Sequence, residues 1–312
     1  MGPELTEKQR DEIELLALRG ALVAMDRYAT IFSGRSTEDF RIRFSGKLHG
    51  IGSRVGRRDG VLVAVRVFPD SPAERGGLRD GDAILAVDGH STRPLTVGEA
   101  VGRIRGKSGT IVRLRVQREE AYLDLEITRG EVTVPSVETR ALDQNLGYAR
   151  IFQVRRTTRQ EFREKVEALG EIDGLVLDLR GNSCGSMLAA SGIADFFLSR
   201  DTIVRVVGRH GRSPWELRNR TRATSSVLFD FPVVVLVDPT TASAAEILSG
   251  AVQPLERVTV IGQTTFGKGL IQRVVPLLDE QLIKLTVAEY RLSQNRVIHE
   301  IGVVPDITLY PI

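Results

Sequence analysis

The hydrophobic pattern at the start of the chain is that of a helix. Apolar side chains recur at roughly helical spacing through residues 4–33, and no proline interrupts them. These positions are Leu5, Ile13, Leu16 and Leu22. From about residue 45 the pattern changes to short segments rich in β-branched residues. The change predicts an N-terminal helical segment over residues 1–44 and a region built on strands beyond it.

Residues 45–128 alternate short apolar strands with turns. Asp88 and Gly89, for example, form a hairpin-type turn directly after an apolar run. The predicted strands are residues 61–67, 83–87, 110–117 and 122–127, and the predicted helices are residues 73–77 and 97–104. This pattern predicts a compact domain over residues 45–128.

Beyond residue 129, helices alternate with continuous apolar strands. The predicted strands are residues 175–179 and 232–237, and the predicted helices are residues 157–169, 187–198 and 243–252. Strands that are apolar on both faces favour a sheet covered on both sides by helices. Residues 129–312 are therefore predicted to form a further domain of the α/β class.

Length and composition narrow the chemistry. A chain of 312 residues is long enough for about two domains. Its single cysteine, Cys184, excludes an internal disulfide framework and a metal site with several thiolates. The four histidines occur at no paired metal-ligand spacing. Dedicated zinc chemistry is therefore not expected.

The charge balance does not point to nucleic acid. The chain has 43 basic and 40 acidic residues, a net charge of +3. The segment Arg205–Arg222 is rich in arginine, and a solvated strand and loop is expected there. Salt-sensitive nucleic-acid binding by this segment is the alternative. The longest apolar run, Val233–Val237, is too short to span a bilayer, so no membrane span is expected in this chain.

Residues 45–128 resemble a PDZ domain of the bacterial type. The motifs that carry the resemblance are Gly50-Ile51-Gly52, Asp70-Ser71-Pro72-Ala73, Gly76-Gly77-Leu78, Gly81-Asp82 and Ile84–Gly89. In such a domain a peptide tail adds a strand to a sheet edge, and its carboxylate binds backbone N–H groups of a glycine-containing loop. The residues expected at the peptide site are Gly50, Ile51, Gly52, Val101 and Ile104. A purely structural domain with a closed groove is the alternative.

Three short motifs in residues 129–312 contain candidate catalytic or binding groups. Residues 178–185 end a buried strand in a glycine-containing turn, whose backbone N–H groups can bind an oxyanion. Ser243 lies between alanines at the start of a predicted helix, where it is either an accessible nucleophile or an N-cap. Residues 266–272 place Lys268 between two glycines. They lack the full phosphate-loop pattern, which speaks against a nucleotide site.

A serine nucleophile needs a base. His210 and His299 lie in no recognisable catalytic motif. A lysine can serve when burial lowers its pKa toward neutrality. Lys268 has few charged neighbours in sequence, which suits such a shift.

These motifs resemble those of the carboxy-terminal processing proteases, which are Ser/Lys endopeptidases with a PDZ domain ahead of the catalytic core. The shared strings are T-A-S-A-A-E at 241–246, F-G-K-G-x-x-Q at 266–272 and D-L-R-G-N at 178–182. The 25-residue separation of Ser243 and Lys268 agrees with that family. The resemblance covers nearly the whole chain.

The resemblance implies both a fold and a mechanism. The fold is a crotonase-like αβ spiral core with an inserted or preceding PDZ domain. The mechanism makes Ser243 the nucleophile, Lys268 the general base and Gln272 the residue that orients the lysine. The oxyanion hole is formed by the N–H of Ala244 and one from the turn at Gly185. The implied mechanism needs no metal or other cofactor. The expected partners are protein or peptide substrates with a free C-terminus.

The chain departs from the family pattern at the oxyanion turn. The family usually has N-P-G-G, whereas this sequence has Asn182-Ser183-Cys184-Gly185. A residue with a Cβ is strained there if the turn requires a positive φ. Ala245 also replaces a serine often found two positions after the nucleophile. Cys184 itself is an alternative nucleophile, although it lacks a partner histidine.

Some questions stay open at this level. A non-catalytic binding or scaffold protein with the same fold is the rival function, and the altered turn is its main support. The substrate, an activating partner and a homo-oligomer are not determined. Family resemblance favours the periplasm or cell envelope, with a leader already removed from this chain, and leaves the cytoplasm open.

Overall fold

The computed structural model describes residues 6–34, 36–37, 40, 47–208, 221–224, 226–277 and 281–310. The chain forms two compact units. The small unit is Ser45–Pro135, and the large unit combines Met1–Phe44 with Ser136–Ile312. The large unit is thus discontinuous in sequence. The sequence-based boundary after residue 128 falls before the end of the small unit.

The secondary structure mixes short helices with many strands. The helices are α1 (Glu7–Met25), α2 (Pro72–Arg75), α3 (Val97–Ile104), α4 (Thr158–Glu167), α5 (Met187–Ala194) and α6 (Ala244–Val252). The strands are β1 (Thr30–Phe32), β2 (Lys47–Gly50), β3 (Ser53–Arg58), β4 (Val61–Val67), β5 (Ala83–Val87), β6 (His90–Ser91), β7 (Ile111–Arg118), β8 (Ala121–Thr128), β9 (Gly130–Thr133), β10 (Val137–Leu142), β11 (Leu146–Ile151), β12 (Gly174–Asp178), β13 (Thr202–Gly208), β14 (Thr221–Arg222), β15 (Val233–Val237), β16 (Val258–Gly262), β17 (Leu270–Pro276), β18 (Leu282–Leu292) and β19 (Ile307–Thr308).

The small unit is an antiparallel sheet with two short helices. Its strand order is β3-β4-β5-β7-β8, and β6 pairs with β5. A separate pair of strands, β2 and β9, joins the beginning and the end of this unit. Helix α3 begins at a capping box in which Thr96 and Glu99 exchange side-chain and backbone hydrogen bonds. Strand β3 lies at the edge of the sheet.

The large unit contains two sheets. The first has the order β10-β11-β12-β15-β16-β19 and is parallel from β11 onward. The second is antiparallel, with the order β1-β18-β13-β14, and β17 also pairs with β18. Helices α5 and α6 contact each other and β13, and α6 also contacts β18. One buried core joins the parallel strands to these helices and to Tyr290 and Leu292 of β18.

The predicted helix over residues 4–33 is wrong at its C-terminal end. Helix α1 ends at Met25, and Asp26 caps it in an extended conformation. The Thr30–Phe32 segment instead forms β1, with Thr30 opposite Lys284 of β18. Its β-branched residues suit a strand, and pairing with a distant strand decides between the two structures.

A helix that crosses a bilayer must be both long and apolar. Within the described residues, no helix combines the length and the apolar character needed to cross a bilayer.

Candidate active site

Five residues predicted from the sequence line one cavity in the large unit. The cavity has a volume of about 680 Å³. Its lining includes Ser243, Lys268, Gln272, Ala244 and Gly185. The structure therefore brings together side chains and backbone groups from three separate motifs.

Ser243 has an unusual backbone conformation. It lies between β15 and the first residue of α6, with φ 60° and ψ −114°. A helix N-cap normally has an extended backbone, as Thr96 does at φ −68° and ψ 162°. A non-glycine residue with such a positive φ is strained, and strain of this kind is concentrated at functional sites. The conformation therefore favours the nucleophile over the simple N-cap.

Lys268 is half-buried beside a hydrogen-bond acceptor. Its Nζ donates to Gln272 Oε1 at 2.8 Å and lies 5.4 Å from the centre of the Tyr28 ring. Gln272 Nε2 in turn donates to the carbonyl oxygen of Tyr28 at 2.8 Å. Burial, together with the charge of Lys284, holds the pKa of Lys268 below the ordinary lysine value. A lysine in this state can act as a base.

Glu246 is fully buried and holds the two motifs together. Its Oε2 accepts the backbone N–H of Ser243 at 2.7 Å and that of Lys268 at 2.8 Å. Its Oε1 accepts the N–H of Gly267 at 2.7 Å and the hydroxyl of Thr265. The carboxylate thus replaces water for four donors and fixes the loop of Lys268 against the start of α6.

Tyr290 makes a second connection between the same two residues. Its hydroxyl lies 3.0 Å from the carbonyl oxygen of Ser243 and 2.7 Å from that of Lys268. Burial and the nearby Glu246 carboxylate raise the pKa of Tyr290, which keeps the phenol protonated as a donor. The sequence reasoning assigned no role to Glu246 or Tyr290. The capping-box spacing of Ser243 and Glu246 is a signal that could have identified Glu246.

The two backbone groups predicted to form the oxyanion hole are unoccupied by other acceptors. Across the described residues, neither the N–H of Ala244 nor that of Gly185 donates a hydrogen bond. Gly185 lies against Val154, and a Cβ at this position would be 2.3 Å from the Val154 carbonyl oxygen. Glycine is therefore required here by space.

The Cys184 turn is not strained in the way the sequence suggested. Cys184 is absent from the residues of positive φ, whereas Gly181 has φ 77°. The positive φ in this turn thus occurs at a glycine. The Cys184 thiol is exposed and lines the cavity, 3.5 Å from Gln153 Nε2.

Of the two histidines considered as bases, the structure describes only His299. His299 is not among the residues that line the cavity, and its Nδ1 is buried with no hydrogen-bond partner among the described residues. His210 lies outside the described residues, as does the central part of the basic segment Arg205–Arg222.

The residues predicted to form the peptide site of the small unit are mostly buried. Gly50, Ile51, Gly52 and Ile104 are buried, and Val101 is half-buried. In the described parts of the chain, the N–H groups of Ile51 and Gly52 donate no hydrogen bond. Gly52 has φ 84°, and a Cβ there would lie 2.4 Å from the Ser71 Cβ. The loop thus offers two N–H groups beside the edge strand β3.

Family models match both units. The model of peptidase family S41 matches residues 145–309, and a PDZ domain model matches residues 63–118.

Several curated proteins are similar along most of the chain. The carboxy-terminal processing proteases CtpA and CtpB of Bacillus subtilis are 33% and 32% identical over 93% and 98% of this chain. This chain covers 62% and 65% of those two proteins. A carboxyl-terminal-processing protease of Picosynechococcus is 34% identical over 96% of this chain and 73% of its own length.

Solved structures agree with the fold. The photosystem II D1 C-terminal processing protease matches with a TM-score of 0.54 and 27% identity over 98% of this chain and 83% of that one. An S41 protease from Bacteroides fragilis matches in fold with a TM-score of 0.60, at 17% identity over 99% and 85% of the two chains. The predicted fold class, a peptidase core of this type with a PDZ domain, is confirmed.

Proposed function

Because the chain belongs to peptidase family S41, a family of serine-type peptidases, we propose that it is a Ser/Lys endopeptidase that processes the C-terminal tails of proteins. The observation that carries the proposal is the shared cavity, which is lined by Ser243, by a lysine of lowered pKa and by two residues whose N–H groups donate no hydrogen bond within the described part of the chain. This chain spans less than two thirds of the length of the two Bacillus relatives, and the support for activity comes from its own residues.

The first chemical step is acylation of Ser243. Neutral Lys268 accepts the hydroxyl proton as Oγ attacks the scissile carbonyl carbon. The N–H groups of Ala244 and Gly185 stabilise the negative charge on the carbonyl oxygen in the tetrahedral intermediate. As the intermediate collapses, the C–N bond breaks and the lysine proton goes to the leaving amine.

The second step is hydrolysis of the acyl-enzyme. Water loses a proton to Lys268 and attacks the ester carbonyl, and the same two N–H groups stabilise the second intermediate. As this intermediate collapses, the bond between the carbonyl carbon and Ser243 Oγ breaks, the lysine proton goes to Oγ, and the carboxylic acid product leaves. Gln272 keeps the lysine oriented throughout, because it accepts one N–H of Lys268 Nζ while its own amide is fixed on the carbonyl of Tyr28.

Tail recognition is proposed for the small unit. The edge strand β3 allows a peptide to add as a further strand, and the N–H groups of Ile51 and Gly52 suit a terminal carboxylate. Val101 and Ile104 of α3 would contact the last side chains of the tail.

The non-catalytic binder is the weaker proposal on this geometry. Its main support was strain at the oxyanion turn, and Cys184 does not have a positive φ. Both candidate oxyanion donors are free of other acceptors among the described residues.

The test is cleavage of casein by the chain and by its Ser243→Ala variant. We expect cleavage to fall by at least about a thousandfold in the variant, because the nucleophile is lost. Ser91→Ala, at an exposed serine of the small unit, is the matched control and should cleave normally. Cleavage that persists in Ser243→Ala would overturn the proposal. Absence of cleavage in both, with casein and with tail peptides, would favour the binder.

A further inference from the structure

The lining of the catalytic cavity is basic. Its charged residues are Arg155, Arg156, Lys268 and Lys284. Among the described residues, no aspartate or glutamate lines it. With Lys268 neutral as the base, three cations still face the space in which a peptide must lie. Such a surplus attracts anionic groups and disfavours cationic ones.

Lys284 is a half-buried cation of this lining for which the described residues provide no counter-ion. It lies in β18, between Thr30 of β1 and Val274 of β17. Its side chain is half-buried, with Nζ 5.7 Å from the centre of the Phe32 ring. Within the described chain, its ammonium group makes no hydrogen bond and no ion pair. Burial lowers the pKa of Lys284, which reflects the cost of this unpaired charge.

The nearby carboxylates do not neutralise Lys284 by direct contact. Asp26 accepts hydrogen bonds from the N–H and hydroxyl of Thr286, at 2.8 and 3.1 Å, and from the N–H of Tyr28 at 3.0 Å. Glu246 is likewise saturated by four donors. Neither carboxylate lines the cavity. The ammonium group of Lys284 therefore has no anionic partner within the described chain, and it is available to a ligand that enters the cavity.

We propose that Lys284 binds a carboxylate of the substrate, so that the cleft selects acidic peptide segments next to the scissile bond. This inference rests on the proposed peptidase function and specifies its substrate class. The ammonium group on its aliphatic stem, beside an aromatic ring, pairs with an aspartate or glutamate side chain, or with the α-carboxylate of a tail cut close to its end. Pairing removes the cost of the half-buried charge, so binding favours acidic over neutral peptides.

The test uses matched peptides around a bond of casein that the protein cleaves, located by mass spectrometry. Glutamate and glutamine are placed singly at each position flanking the bond, and the last residues are kept the same so that any contribution of the small unit cancels. We expect kcat/KM for at least one glutamate peptide to exceed that of its glutamine partner by about tenfold, the effect of one charge-assisted hydrogen bond.

Variants of Lys284 make the test specific. The ratio of kcat/KM between the glutamate and the glutamine peptide should fall to about 1 in Lys284→Met. It should be retained in Lys284→Arg, which keeps the positive charge. Lys107→Met, at an exposed lysine outside the cavity, removes the same net charge and should leave the preference unchanged. Equal rates for both members of every pair in the wild-type chain would overturn the proposal, as would a preference that survives Lys284→Met.

Two further arms complete the design. Short tails with a free or an amidated C-terminus identify the source of the carboxylate: a Lys284-dependent preference for the free acid assigns the α-carboxylate. Binding of the same peptides to Ser243→Ala, measured by fluorescence anisotropy, separates this inference from the peptidase proposal. A Lys284-dependent preference in binding supports the inference even if no peptide is cleaved.

Discussion

Ser243 and Lys268 share two hydrogen-bond partners through their backbones. Glu246 accepts both of their N–H groups, and the Tyr290 hydroxyl lies within hydrogen-bond distance of both of their carbonyl oxygens. The two proposed catalytic residues are therefore positioned by the main chain. Their relative placement depends on two buried side chains outside the reaction itself.

Glu246→Gln should weaken both the fold and the activity. The amide replaces one acceptor oxygen with a donor that faces N–H or hydroxyl donors, so at least one buried donor loses its partner. We expect the free energy of unfolding to fall by about 2 kcal/mol, and kcat/KM to fall with it. Urea denaturation and casein cleavage measure the two effects. Tyr290→Phe, which removes only the hydroxyl, should cost about 1 kcal/mol. A Glu246→Gln protein of normal stability and activity would contradict the positioning role.

The activity should decline as the pH falls. The base must be neutral, so kcat/KM decreases about tenfold per pH unit once the pH drops below the lowered pKa of Lys268. Gln272→Glu places an anion on the lysine, raises the pKa and shifts this limb of the profile to higher pH. The charged groups that also act on the pKa of the lysine are Lys284, Asp26 and Glu246.

The measurement is kcat/KM from about pH 6 to about pH 9 for the wild type, Gln272→Glu and Gln272→Leu. Gln272→Leu removes the acceptor without adding charge, so kcat should fall without the shift toward higher pH that glutamate causes. A flat profile in the wild type, or coincident limbs in wild type and Gln272→Glu, would argue against Lys268 as the base.

Replacing Lys284 should stabilise the fold. Its pKa is lower when folded than when unfolded, so the unfolded state binds more protons between the two values. The free energy of unfolding therefore rises with pH in that window, and below it the folded state carries the full cost of the buried charge. Lys284→Met removes that cost and should raise stability at neutral pH by about 1 kcal/mol. Thermal unfolding at pH 7 and pH 10 measures it, with Lys107→Met as control. A Lys284→Met protein less stable than the wild type would contradict this account.

Cys184 should not be required as a nucleophile, but its thiol should react with a reagent that blocks the cavity. Cys184→Ser keeps the size of the side chain, so cleavage should remain within about threefold of the wild type. Because the thiol is exposed and lines the cavity, a maleimide should inhibit the wild type and leave Cys184→Ser unaffected. Loss of more than about a hundredfold in Cys184→Ser would instead indicate catalysis by the thiol.

The sequence predicted the ends of those helices and strands that are determined by short-range patterns. Helix α3 and strands β4 and β5 have the predicted ends, because amphipathic period and turn residues decide them. The helix predicted over residues 187–198 ends at Ala194 in the structure. Phe196 and Phe197, which follow its end, pack in an aromatic cluster with Phe162 and Phe229. Strand β1 depends on pairing with β18, a partner far away in sequence.

The candidate site was predictable in part for the same reason. Ser243, Lys268 and Gln272 lie in short motifs, and the structure brings them to one cavity. Their roles stay predictions until tested, as do the peptide site of the small unit and the compartment. Tyr290 has no sequence signal, because its function comes only from where β18 passes behind the site. Lys284 likewise has no signal in the sequence, since its lack of a counter-ion among the described residues depends on the tertiary structure.

The split large unit has a consequence for biosynthesis. A ribosome releases β1 and then the whole contiguous small unit, which can fold while the rest is being made. Ser243 and Lys268 emerge before β18, the strand that pairs with β1 and carries Tyr290. A nascent chain therefore passes through a stage at which Ser243 and Lys268 have been made without the strand that carries Tyr290. If the two residues act as proposed, proteolytic competence arises only after β18 has also been made.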